Sequence, residues 1–187
     1  GSGVMEVVPN YDVALSFAGE DREYVYKVAH ALQQAGVRVF FDEFEEAALW
    51  GKDLYTHLVD IYRHQALYTV IFISRHYGQK LWTKLEFKAA AARAFEDSRE
   101  YILPARFDDT EIDGILPTTG YLKIADRDPN QLCQMIVAKL KLDQRFVARI
   151  PDIEAIRGAG ERSEYPQTDT ESKLPLDNLQ SCELYAG

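Results

Sequence analysis

Residues 68–74, YTVIFIS, are apolar at nearly every position. A strand with one wet face alternates apolar and polar side chains. One without that alternation is covered on both faces, as in a parallel sheet held between helices. The flanking sequence supplies what such a sheet needs. Short apolar runs recur at residues 11–17 (YDVALSF), 37–42 (VRVFFD), 101–107 (YILPARF) and 121–124. Pro104 places the fourth run near an edge, because it has no N–H to give to a ladder. Helical spacing fills the intervals. Val25, Val28, Ala29 and Leu32 recur over residues 21–35, which Gly36 closes. Leu54, Leu58 and Ile61 follow Asp53, a suitable N-cap, over residues 53–63. Leu132, Ile136, Val137 and Leu140 mark a last helix over residues 130–142. Residues 43–52 (EFEEAALWGK), broken by Gly51, read as a loop. Strands separated by helices imply right-handed crossovers. The expectation is an α/β, flavodoxin-like, doubly wound sheet of five parallel strands in the order 2-1-3-4-5.

At 187 residues and 47% hydrophobic, the chain can bury one good core but is short for two. Its net charge of -9 argues against a general nucleic-acid binder, which needs basic residues to neutralise phosphates. No apolar run approaches the roughly 20 residues required to cross a bilayer. Cys133 and Cys182 lie far apart, outside any metal-ligand spacing, and read as free thiols in a reducing cytoplasm. No metal and no resident cofactor are expected. Residues 1–9 read as a tag (Gly1-Ser2-Gly3) and leader, residues 10–143 as the domain, and residues 144–187 as a helical extension followed by a polar tail or linker.

The stretch with most chemistry is residues 81–97, LWTKLEFKAAAARAFED, rich in helix formers and free of Gly and Pro. Read as one helix, it turns Leu81, Leu85, Ala89 and Ala92 toward the sheet. Trp82 and Glu86, four apart, then share a face at the margin of that stripe. The pair could wall a pocket, or could be a packed tryptophan beside a solvated glutamate. Topology bears on the choice. In an open parallel sheet the ligand crevice lies beyond the carboxyl ends of the strands where strand order reverses. Here that point falls between strands one and three, lined by Phe17, Ala18 and Gly19 on one side and Ser74 on the other.

Taken together, YDVALSFAGED, VRVFFD, the WGKD loop, YTVIFIS and Trp82-x-x-x-Glu86 resemble a TIR (Toll/interleukin-1 receptor) domain over residues 10–143, closest to the bacterial members. Catalytic members cleave the nicotinamide–ribose bond of NAD+, giving nicotinamide with ADP-ribose, a cyclic isomer or another conjugate. Non-catalytic members are adaptors acting through TIR–TIR contacts. The resemblance implies that Glu86 is catalytic and that Phe17, Ala18, Gly19, Trp50, Ser74 and Trp82 touch substrate. It also implies that residues 43–52 are the BB loop, where Trp50 and Glu45 would meet a second copy, and that the setting is cytoplasmic antiviral or cell-death signalling. The pyridinium leaves as neutral nicotinamide and needs no general acid, so one carboxylate facing an oxocarbenium-like ribose suffices, where most glycosidases use two. Some catalytic relatives carry an aromatic shortly after the loop glycine, where this chain has Asp53. Asp42 reads as fixing the loop. Of His30, His57, His64 and His76, only His76 lies near the crevice. A phospho-receiver would want an aspartate where Ser74 stands; a nucleoside deoxyribosyltransferase would also use a glutamate, but the WGKD loop and Trp82-x-x-x-Glu86 favour a TIR domain.

Overall fold

The structure, a computed structural model, describes residues 8–116 and 118–150. Most of the expected leader and all of the polar tail lie outside the described residues. A five-stranded sheet has the order 2-1-3-4-5, every pairing parallel. In chain order the elements are β1 (Tyr11–Phe17), α1 (Arg22–Gln34), β2 (Val39–Glu43), α2 (Glu46–Leu49), α3 (Leu54–Val59), β3 (Ala66–Ile73), α4 (Arg75–Leu81), α5 (Leu85–Asp97), β4 (Ile102–Arg106), β5 (Leu122–Lys123), α6 (Pro129–Leu140) and α7 (Gln144–Arg149). A short 3₁₀ turn, Gly19–Asp21, leads into α1, and a π-helical segment, Asp60–Gln65, joins α3 to β3.

The sheet separates two apolar layers, as the unbroken apolarity of β3 requires. Leu15 and Phe17 of β1, with Val70 and Phe72 of β3, pack on one side against α1, α6 and Phe146 of α7. Ala14, Ile71 and Ile73 pack on the other against α3, α4 and α5. The helix signals read from sequence do their work. Gly36, at φ +84, stops α1 in a backbone conformation that other residues enter at a cost. Asp53 caps α3, its carboxylate accepting from Thr56 N at 3.0 Å. A further signal, not singled out in the sequence, is the reciprocal capping box of Asp128 and Gln131 that opens α6. The expected helical extension is present as α7. Phe146 is fully buried, and Arg149 reaches back to a fully buried Asp12 at the amino end of β1.

Three expectations need correcting. Residues 81–97 are not one helix: Trp82 ends α4 and an extended Lys84 starts α5. The expected stripe fails with it, because Leu85 is 83% exposed and α5 buries Ala91, Ala94 and Phe95 instead. The core has to accept Leu81 from α4 and Phe95 from α5, and the break lets Leu85 swing out between them. Within residues 43–52, β2 runs on to Glu43 and α2 forms over Glu46–Leu49, where the Glu-Ala-Ala-Leu run favours helix once Leu49 is anchored in the core.

Candidate active site

Strand order reverses between β1 and β3, and the expected crevice would lie beyond their carboxyl ends. Two serines tie the elements around that point together. Ser74 caps α4, accepting from Tyr77 N at 3.2 Å, and its hydroxyl donates to Asp21 Oδ2. Burial raises the Asp21 carboxyl above its ordinary range, an effect the Ser74 bond opposes. Ser16, on β1, donates to Asp42 Oδ2 at 3.0 Å and lies 3.0 Å from Tyr77 Oη, which in turn lies 3.2 Å from Tyr62 Oη. With Ser16 donating to the carboxylate, Tyr77 donates to Ser16 and Tyr62 to Tyr77, a directed relay ending on Asp42. Some surface of Asp42 remains exposed, but its carboxyl is inside, and burial pushes it up to about 6 against the pull of Ser16. Asp42, read from sequence as fixing the loop, is tied to Ser16 on the neighbouring strand, a partner the sequence did not reveal.

The expected substrate-contact residues fall into two groups. Phe17 and Ala18 are fully buried, and Ser74 is 2% exposed. Phe17 packs edge-on against Tyr26, Ala18 belongs to the opposite layer, and the Phe17 carbonyl accepts from Phe44 N at 2.8 Å. The side chains of these residues are committed to packing and hydrogen bonds within the domain. Gly19 is partly open, and a Cβ there would sit 2.6 Å from Glu43 Oε1. Trp50, just past α2, is 90% exposed, and Glu45 is exposed. Around the same turn stand ion pairs that sequence reading missed: Arg22 with Glu43, and Lys80 with Glu20 at 3.3 Å. Partly buried His76 adds a positive field on Glu20 and Asp21 when protonated.

Glu86 occupies the first turn of α5. That helix ends five residues before β4 begins, so its C-terminus lies at the amino edge of the sheet. Thirteen residues at roughly 1.5 Å each carry its first turn about 18 Å back, to the carboxyl-end rim. Glu86 is exposed and makes no hydrogen bond or ion pair among the described residues. Trp82 is 41% exposed, its indole lying against Lys88 Nζ at 5.8 Å and close over Gly78. Tryptophan and glutamate therefore flank a turn and do not share a helical face. A cavity of about 90 Å³ lies at the far end of α5, lined by Phe95, Glu96, Arg99 and Ile102 among others. Among the described residues no group of three or more His, Cys, Asp or Glu is placed to hold a metal ion, and no helix is long and apolar enough to cross a membrane.

Residues 13–136 match the family model of the TIR domain, and the chain belongs to that family. It is 60% identical over 136 residues to the 3′ cyclic ADP-D-ribose synthase AaTIR of Aquimarina amphilecti, a match covering 73% of this chain and 42% of that protein. Identity to the 2′ cyclic ADP-D-ribose synthase AbTIR of Acinetobacter baumannii is 33% over 102 residues, covering 54% and 36%. Identity to the NAD(+) hydrolase TcpC of Escherichia coli is 29% over 96 residues, covering 51% and 30%. The chain spans less than half the length of these curated relatives.

Proposed function

We propose that this TIR domain cleaves the nicotinamide–ribose bond of NAD+ with Glu86 as the catalytic carboxylate, and that ring closure to a cyclic ADP-ribose is the favoured outcome. The observation carrying the reading is a glutamate on the first turn of α5, at the carboxyl-end side of the sheet, exposed and without a partner among the described residues. The 60% identity to a protein named as a 3′ cyclic ADP-D-ribose synthase supports the choice of product. As the bond lengthens, positive charge builds on the ribose and the pyridinium becomes neutral. A carboxylate beside the ribose hydroxyls stabilises that charge. If a hydroxyl of the substrate reaches the anomeric carbon first, the product is cyclic; if water does, it is ADP-ribose. NAD+ is substrate here, and the step asks for no cofactor.

Glu86 lies open to water in the single chain, where a carboxylate attracts a cation weakly. The mechanism therefore needs a covering surface, and self-association is part of the proposal. Trp50, Trp82 and Leu85 are large apolar side chains left exposed, the kind of anchor that fills the centre of an interface. A TIR adaptor without catalysis would use the same residues, and a nucleotide signal for antiviral defence or cell death in the cytoplasm is the setting in which the enzyme would act. Mass spectrometry of products from NAD+, run beside Glu86→Gln, separates the two. The enzyme releases nicotinamide with a cyclic ADP-ribose, and the variant releases none while melting at the same temperature. Nicotinamide release unchanged in Glu86→Gln would remove the carboxylate from the mechanism; none from the native chain at high protein concentration would leave the adaptor.

A further inference from the structure

Two ion pairs stand around the turn at the carboxyl end of β1. Arg22, first residue of α1, pairs with Glu43 at the end of β2; Lys80, in the last turn of α4, pairs with Glu20. Glu43 is in register with Phe17 at the tip of β1, and its carboxylate lies over Gly19, where a Cβ would meet it at 2.6 Å. The Arg22 and Lys80 side chains are 48% and 33% exposed, and pairs so wet add little to stability. Stability is then a poor reason for two such pairs to gather around one turn. The dinucleotide of the reading above brings a doubly charged diphosphate to a chain whose net charge is -9. It needs cations at the rim, and the planar fork of a guanidinium can give two parallel bonds to phosphate oxygens.

We propose that Arg22 is a diphosphate-binding residue of this site and that Glu43 holds its place until the dinucleotide arrives. The proposal rests on the NAD-cleaving reading and names the side chain that meets the phosphates. On binding, the diphosphate displaces the Glu43 carboxylate, so Arg22 exchanges one anion for another and stays paired throughout. The departing carboxylate clears the space above Gly19. Lys80, drawn from Glu20, adds a second positive charge of less demanding geometry. Glu43 is thus an internal competitor, and a ligand with one negative charge displaces it less well than a diphosphate does.

The test is calorimetric titration of the whole chain with ADP-ribose, which carries the diphosphate and has no nicotinamide to lose, at two salt concentrations. Arg22→Gln weakens binding about tenfold or more and flattens its salt dependence. Glu43→Gln tightens binding several-fold, and Gly19→Ala, whose methyl pushes Glu43 aside while both charges remain, tightens it too. Circular dichroism confirms that each variant is folded. Equal affinity in Arg22→Gln and the native chain, or weaker binding in Glu43→Gln, overturns the proposal. Nicotinamide release from NAD+ is followed in parallel. Cleavage together with an affinity indifferent to Arg22 overturns this proposal alone; the expected affinity pattern without cleavage overturns the enzymatic reading and leaves the diphosphate site standing.

Discussion

Ser16 Oγ donates to Asp42 Oδ2 at 3.0 Å, joining the ends of two neighbouring strands beneath the crevice. Burial lifts the Asp42 carboxyl to about 6, so the folded chain binds this proton more readily than the unfolded one. The stability it allows is full below about pH 4, declines as pH rises toward 6, and stays reduced above. Asp42→Asn removes the charge and keeps an acceptor for Ser16. Its melting temperature is expected to exceed the native one at pH 7.5, by the equivalent of about 2 kcal/mol, with the two curves converging near pH 4. A difference that does not change with pH would show that the charge is not what matters.

Asp12, fully buried, accepts from Arg38 N at 2.8 Å, Arg38 Nη2 at 3.2 Å and Arg149 Nε at 2.9 Å. Asp12→Ala leaves two guanidinium groups and a backbone N–H without their acceptor and should cost about 3 kcal/mol in urea unfolding. Arg149→Ala keeps the Arg38 bonds and should cost about 1–2 kcal/mol. No loss in Arg149→Ala would mean that the ion pair to Asp12 does not hold α7, which Phe146 and the Tyr68–Asp143 bond would then anchor.

Gly114, at φ +92, presses against α5: a Cβ there would lie 2.4 Å from the Ala92 carbonyl oxygen. Gly114→Ala combines a left-handed backbone with a collision against main chain, and a loss of at least about 2 kcal/mol is expected. Because α5 carries Glu86, NAD+ cleavage should fall further than the folded fraction does. Activity that tracks the folded fraction would separate this loop from the site.

Trp50→Ala alters a side chain that is 90% exposed, and its stability should stay within about 0.5 kcal/mol of native. If Trp50 seats a second copy, light scattering will show a smaller assembly and NAD+ cleavage will fall with it. Loss of neither removes Trp50 from the interface.

The sheet was legible in the sequence because its determinants are local. An unbroken apolar run demands cover on both faces, and β3 covers residues 68–73 of the expected 68–74 for that reason; β1 coincides with the short apolar run at residues 11–17. The end of α1 was legible in Gly36, and the start of α3 in Asp53. The break between α4 and α5 was not, since Trp82, Thr83 and Lys84 contain no helix breaker. Its cause is tertiary: a straight helix through Leu81 and Phe95 would turn Leu85 and Lys88 inward. Four-residue α2 cannot nucleate alone and exists because Phe44 and Leu49 are buried around it. The Arg22–Glu43 pair joins residues 21 apart on different elements, and no periodicity announces it. Of the site, the resemblance singled out Glu86, and spacing left open whether that carboxylate walls a pocket or is solvated; in the single chain it is exposed.

Since α5 begins afresh after Trp82, its rotational setting is taken from Ala91, Ala94 and Phe95, well downstream of the carboxylate it bears. The aim of Glu86 is indexed to the floor of the domain. Substitutions in that remote packing would re-point the carboxylate by degrees while leaving every rim residue untouched.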